Sequence, residues 1–176
     1  YFLEHGSGPR PSKVVYDRAG SSFSTVESQD IDWDAALEGV EWFHWTGISP
    51  ALGKSVTATL LAGLEVARER GSKVSADLKY RSRLWGTGGA ERVLTGLMPF
   101  VDLLISNEED PEKVFGIEIS ETDVESGDLD VTGYEMAARE LKERFGFSQV
   151  AITLRESISA SENNWSACLL EGEDFH

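Results

Sequence analysis

Two rhythms of apolar residues alternate along most of this chain. EWFHWTG (41–47), VSADL (74–78), VDLLIS (101–106) and QVAITL (149–154) are short, nearly continuous apolar runs. Such runs suit strands whose two faces are both covered. Between them, SVTATLLAGLEVARER (55–70), AERVLTGL (90–97) and GYEMAARELKERFG (133–146) space their apolar residues at helical intervals. Gly71 and Gly146 follow two of these segments where a left-handed cap would end a helix. WDAALEGV (33–40), with Asp32 as N-cap, and EEDPEKVFG (108–116) read as shorter helices. WSACLL (165–170) reads as a further strand that pairs nearby. Strand and helix in repeated alternation predict right-handed crossovers and a mostly parallel sheet, an α/β fold. The acidic stretch ISETDVESGDLDVTG (119–133) reads as a solvated loop, and WGTGGAE (85–91) as a flexible one.

Residues 1–24 follow another pattern. YFLE and KVVYDR are short β-type runs separated by HGSGPRPS, whose glycines and prolines are turn chemistry. They predict a hairpin that cannot stand alone and must cover something else. The chain opens on a strand already under way and stops at EDFH without closing an element. It is therefore expected to be the middle of a longer protein.

In open α/β sheets ligands bind beyond the carboxyl ends of the strands. The four strands exit into Thr46-Gly47-Ile48-Ser49-Pro50, Lys79-Tyr80-Arg81 with Asp77 just inside, Ser106-Asn107-Glu108-Glu109-Asp110, and Thr153-Leu154-Arg155-Glu156-Ser157. Parallel strands bring these exits to one edge. Each has a plain structural reading. Thr46 and Ser49 suit a turn, Asn107 suits a helix cap, Asp77 and Arg81 suit an ion pair, and Arg155 suits an exposed loop. Their conjunction on one edge sets a site for an anionic ligand beside these plain readings as an equal alternative.

Charge sharpens that contrast. The 176 residues carry a formal net charge of −15, which argues against a nucleic-acid-binding surface and suits solubility in a salty environment. Lys79, Arg81 and Arg83 together are therefore conspicuous. Cys168 has no partner for a disulfide, and no apolar run reaches membrane-spanning length, so a reducing, cytoplasmic location without membrane contact is expected. His5, His44 and His176 lack metal-ligand spacing, and His44 reads as a sheet residue. P-loop and nucleophile-elbow patterns are missing.

YDRAGS (16–21), HWTGISPAL (44–52), the D-L-x-Y-R-x-x-L-W run (77–85), DLLISNEED (102–110) and AITLRESIS (151–159) occur in that order. Together they resemble the ribokinase/PfkB carbohydrate kinases, and within them the branch acting on 2-keto-3-deoxygluconate. The resemblance implies a three-layer ribokinase-like core (25–176, partial) and a small β lid (1–24). It implies ATP-dependent phosphoryl transfer to an alcohol group of a sugar acid, with ATP and Mg²⁺ as cofactors. Tyr1, Tyr16 and Arg18 would be lid contacts to the sugar acid, and Arg81 would meet its carboxylate end. A guanidinium suits that task because its planar fork can pair two oxygens at once. Asn107 and Asp110 occupy the N-x-x-E motif on the magnesium and nucleotide-phosphate side, with Asp in place of Glu. Thr153 and Arg155 lie where the family has a T-x-G turn beside the phosphates, Arg155 replacing the glycine. Lys79 stands where these kinases typically have Asn. No residue here is expected to ligate metal directly. The glycine-rich sugar-binding segment and the G-A-G-D motif with its general base are not matched, so the base is expected beyond His176. The open edges of the lid invite a homodimer. Another substrate of the same family, fructose or a nucleoside, or a non-catalytic sugar-acid-binding module, stands as the alternative.

Overall fold

The computed structural model describes residues 1–7, 10–119, 131–157 and 162–176. Six strands form one sheet in chain order: β3 (Trp42–Thr46), β4 (Lys73–Asp77), β5 (Leu103–Asn107), β6 (Gln149–Ser157), β7 (Asn163–Glu171) and β8 (Asp174–Phe175). Pairings from β3 to β6 are parallel, while β6–β7 and β7–β8 are antiparallel. The expected α/β fold with a mostly parallel sheet is therefore present. A separate antiparallel hairpin joins β1 (Phe2–Glu4) to β2 (Lys13–Val15).

Helices fill the connections. α1 (Trp33–Ala36) precedes β3, α2 (Ile48–Ala51) and α3 (Lys54–Arg70) lead to β4, α4 (Thr87–Leu97) leads to β5, and α5 (Asp110–Phe115) and α6 (Val131–Phe145) lie between β5 and β6. Asp32 caps α1 by accepting the Ala35 N–H at 3.0 Å. α3 buries Val56, Thr59, Leu60, Gly63, Leu64 and Ala67, a stripe at helical spacing that faces the sheet. It ends at Gly71, whose φ of 75° is left-handed, with Ser72 N–H returning to Ala67 O at 2.9 Å. α6 stops at Gly146 in the same way, at φ 79°. Consecutive β4 residues Val74, Ser75 and Ala76 are all buried. Successive strand side chains point to opposite faces, so layers cover both sides of β4.

One core runs through the sheet and its helices, centred on Leu64, Leu94, Leu104, Val150, Ile152 and Leu170. At its rim Trp33 lies edge-on to Phe43, with ring centroids 5.7 Å apart, and covers Gly63, where a Cβ would meet the indole at 2.8 Å. His44 is a sheet residue, its Nδ1 2.9 Å from Ser75 Oγ on the adjacent strand. No helix among the described residues is long and apolar enough to cross a membrane.

One local expectation is corrected. WGTGGAE is not a loop: α4 already begins at Thr87 and includes both Gly88 and Gly89, because the apolar stripe from Ala90 onward rewards extending the helix backward. Residues 48–51 form a turn of helix on the β3 exit. Most of the acidic segment lies outside the described residues, and α6 claims its last three positions.

Gly47 carries a strict steric demand. Its N–H donates to Asp77 O at 2.8 Å, and a Cβ there would sit 2.0 Å from Leu78 O. Backbone cannot swing aside as a side chain does. Gly47→Ala is therefore expected to lower unfolding stability by about 2 kcal/mol or more. Gly88→Ala, with nothing within 4 Å of the new Cβ, should raise it by about 0.5–1 kcal/mol. Urea titration of the two variants beside the parent measures both.

Candidate functional site

Register puts the four parallel exits together. Thr46 pairs with Asp77, Asp77 with Ile105, and Asn107 with Thr153. The edge is thus a row of polar strand ends, as the pattern of exits predicted.

The segment after β4 is the most constrained part of that edge. Leu78 N–H extends the ladder to Ile105 O at 2.9 Å. Lys79 then adopts φ 37°, the only positive φ outside glycine among the described residues. That region costs a residue with a Cβ about 1–2 kcal/mol, and Asn tolerates it best. Lys79 Nζ lies 3.0 Å from Asp77 Oδ2, so the ion pair is Asp77–Lys79 rather than Asp77–Arg81. Tyr80 is buried, and its hydroxyl donates to Trp85 O at 3.2 Å. Arg81 is exposed on the edge, and its Nη1 donates to Tyr80 O at 2.9 Å. Leu84 N–H closes the turn on Arg81 O at 2.9 Å.

Beside this loop stands the entrance to α5. Asn107 Oδ1 accepts the N–H groups of Glu109 at 3.0 Å and Asp110 at 2.7 Å, closing a turn that leads into the helix from two residues ahead of its N-cap, Glu109. Asp110 is only 4% exposed. Its Oδ2 accepts the Tyr80 N–H at 3.1 Å, bridging α5 to the loop after β4. Burial pushes the Asp110 carboxyl above the ordinary Asp range; the Tyr80 hydrogen bond and the Arg81 charge work against that shift.

Thr153 and Arg155 sit in a different setting from the one expected. β6 does not turn at Thr153 but runs on to Ser157, paired residue for residue with β7. The long antiparallel partner carries the strand past the parallel edge. Thr153 Oγ1 donates to Ser106 O at 3.2 Å. Arg155 is opposite Trp165, its guanidinium carbon 5.6 Å from the ring centroid.

The hairpin gathers the remaining candidates. Tyr1 and Tyr16 have ring centroids 6.0 Å apart, and the Arg18 guanidinium lies 3.9 Å over the Tyr16 ring. Such a contact stabilises by about 0.5–1 kcal/mol when exposed. Tyr1, Phe2, Leu3, Val15 and Tyr16 are all exposed. Tyr1, Tyr16 and Arg18 therefore form one group, Arg81, Asn107 and Asp110 a second, and Thr153 joins the second by register. Tyr80 is the member that sequence reasoning undervalued: its contribution is a backbone N–H, which leaves no signal in residue type.

Among the described residues no group of three or more His, Cys, Asp or Glu side chains could hold a metal ion. A cavity of about 390 Å³, lined by Arg139, Lys142, Glu143, Gly146, Phe147 and Glu173, lies at the opposite edge, where α6 hands over to β6. Its Arg139 is already engaged by Glu135 and Glu173.

No protein-family model matches the chain. A 2-dehydro-3-deoxygalactonokinase of Haloferax volcanii is 32% identical over 156 residues, covering 89% of this chain and 45% of that protein. A 2-dehydro-3-deoxygluconokinase of Thermoproteus tenax is 28% identical over 120 residues, 66% of this chain and 35% of that protein. The crystal structure of 2-dehydro-3-deoxygluconokinase from Thermotoga maritima superposes with a TM-score of 0.88 at 47% identity, over 99% of this chain and 51% of that one. A PfkB family carbohydrate kinase from Listeria grayi gives a TM-score of 0.80 at 28% identity, over 98% and 50%. The chain thus spans about half the length of the first relatives it matches.

Asp110 makes stability depend on pH in a definite direction. A carboxyl raised on folding leaves the folded state holding more protons than the unfolded one, so stability falls as pH rises from the ordinary Asp value of 3.8 through the raised one. Asp110→Asn removes that dependence. The stability of Asp110→Asn relative to the parent should therefore climb across this window and level off above it. Thermal melts at paired pH values read the difference.

Proposed function

The chain belongs to the PfkB/ribokinase family of carbohydrate kinases, and on that premise we propose that the protein carrying it transfers the γ-phosphoryl group of ATP to a hydroxyl of 2-keto-3-deoxygluconate. The observation that supports an acid as substrate is Arg81. It stands at the β4 exit of a strongly acidic chain, with Tyr80 O holding only one end of its guanidinium. The remaining N–H groups suit a carboxylate, which a planar fork binds through two oxygens.

Each residue then has a task. Arg81 and Arg18 neutralise and orient the acid end. Tyr1 and Tyr16 form the apolar wall of a lid spanning residues 1–24, and Arg18, stacked 3.9 Å over the Tyr16 ring, adds the charge of that wall. Excluding water in this way strengthens each charged contact inside the site. Asn107, Asp110, Thr153 and Arg155 face the nucleotide-phosphate side, on the edge built from residues 25–176. Phosphoryl transfer depends chiefly on positioning and on stabilising charge, and both can be shared between two halves of an edge built this way. Mg²⁺ bound with ATP supplies charge neutralisation on the phosphates. Neither Asp77 nor Asp110 is a ready general base, since Lys79 pairs with the one and the Tyr80 N–H with the other.

The exposed apolar hairpin also suits a second copy of the chain, so a homodimer through the lid accompanies this reading. Two similar proteins are named for deoxygluconate and one for deoxygalactonate. Both acids therefore belong in the test.

ADP release by the intact protein should be measured with 2-keto-3-deoxygluconate, 2-keto-3-deoxygalactonate, fructose and a nucleoside. Turnover is expected with the acids, deoxygluconate ahead; preference for a neutral sugar would overturn the assignment. Arg81→Ala should raise KM for the acid about 10- to 100-fold, as expected for lost hydrogen bonds to a charged group, with Arg81→Lys between. Unchanged kinetics would remove Arg81 from the site.

A further inference from the structure

Tyr80 carries a hydroxyl where the core asks only for a ring. The residue is buried, with 8% of its surface exposed, and it belongs to the same core as Leu78 and Leu94. A phenylalanine would fill that space without an oxygen to satisfy, and a buried Tyr hydroxyl is costly unless it is hydrogen-bonded. Its partner is Trp85 O, 3.2 Å away and five residues on. Between the two lies the turn that begins with Arg81. Arg81 O accepts the N–H of Leu84 at 2.9 Å and that of Trp85 at 3.4 Å, and the hydroxyl bond closes the turn from its other side. Trp85 ends the turn half-buried against the core, and its indole Nε1 meets no hydrogen-bond partner among the described residues. Polar anchoring of Trp85 therefore falls to its backbone. α4 begins only at Thr87, behind Gly86, which offers no side-chain cap. Tyr80 also acts on the side chain of Arg81, since Tyr80 O accepts Arg81 Nη1 at 2.9 Å. One residue thus holds the turn by its hydroxyl and the guanidinium by its carbonyl.

We propose that Tyr80 is a positioning residue: its hydroxyl, by holding Trp85 O, closes the turn 81–85 and fixes the direction in which Arg81 offers its guanidinium to the carboxylate of a sugar acid. The ligand rests on the kinase reading, whereas the closed turn stands on the hydrogen bonds alone. Arg81 is exposed, and an exposed arginine on a loose turn gives up much of its freedom when a ligand arrives. A turn fixed at both ends has given it up already, so more of the contact energy appears as affinity. Loss of the hydroxyl then weakens binding of the acid by acting through Arg81.

The test uses the intact protein with Tyr80→Phe, which keeps the ring in the core and removes only the hydroxyl, together with Arg81→Ala and the double variant. Amide hydrogen exchange is followed at Leu84 and Trp85, with Leu104 and Val150 in the core strands as the reference. The dissociation constant for 2-keto-3-deoxygluconate is measured by titration calorimetry without nucleotide. Tyr80→Phe should speed exchange at Leu84 and Trp85 about five- to tenfold relative to the core amides, as for one lost hydrogen bond. Affinity for the acid should fall about three- to tenfold. In the Arg81→Ala background the same substitution should change affinity by less than about 1.5-fold. Unchanged exchange at the turn, or an acceleration shared equally by the core, would overturn the proposal. So would unchanged affinity in Tyr80→Phe, or an equal loss in both backgrounds, which would place its effect elsewhere than Arg81. A parent that does not bind the acid would count against the kinase reading, and exchange would still decide whether the hydroxyl holds the turn.

Discussion

Parallel pairing from β3 to β6 is the constraint from which the site follows. A parallel ladder is indifferent to side-chain identity, yet its register decides which residues end together. Thr46, Asp77, Asn107 and Thr153 come from four segments far apart in sequence, and the ladder sets them in neighbouring places on one edge. Helices on both faces make the arrangement stiff, because consecutive β4 residues are buried whichever way they point. Irregular backbone can then be carried at the exits. Gly47 packed on Leu78 O and Lys79 at positive φ are both found there, where strain tends to persist only if its surroundings over-determine it.

Charge at this edge is used sparingly. The Lys79–Asp77 pair is partly exposed and contributes on the order of 1 kcal/mol or less. Asp110 differs, since its burial gives its single cross-element hydrogen bond more weight than a surface pair has. Arg81 lies between these cases: one end is anchored to Tyr80 O, and the charge remains at the surface. An anchored guanidinium loses less freedom when a ligand arrives than a free one does, and that favours binding.

The two-stranded hairpin obeys another rule. Its register places Phe2 opposite Val15 and Leu3 opposite Val14, so apolar residues occupy both faces of a unit too small to bury either. A lid that closes on a ligand with one face and meets a second lid with the other would use both. The tilted Tyr1–Tyr16 pair with Arg18 over it shows how far one face is organised by its own contacts.

Periodicity alone determined the α/β class, the sequence of elements and the glycine stops at Gly71 and Gly146, because helical and strand spacing are local properties. It also determined that Thr46, Asp77, Asn107 and Thr153 share an edge, since right-handed crossovers leave parallel strands little choice. Local pattern failed where a neighbour outvoted it. Gly88 and Gly89 joined α4, and β6 ran past Thr153 because β7 lay alongside. Partner choice was decided by tertiary structure: Asp77 with Lys79, and Asp110 with a backbone N–H of Tyr80. Residue letters do not record a backbone donor, and only the packing of α5 against the loop after β4 brings that donor within reach.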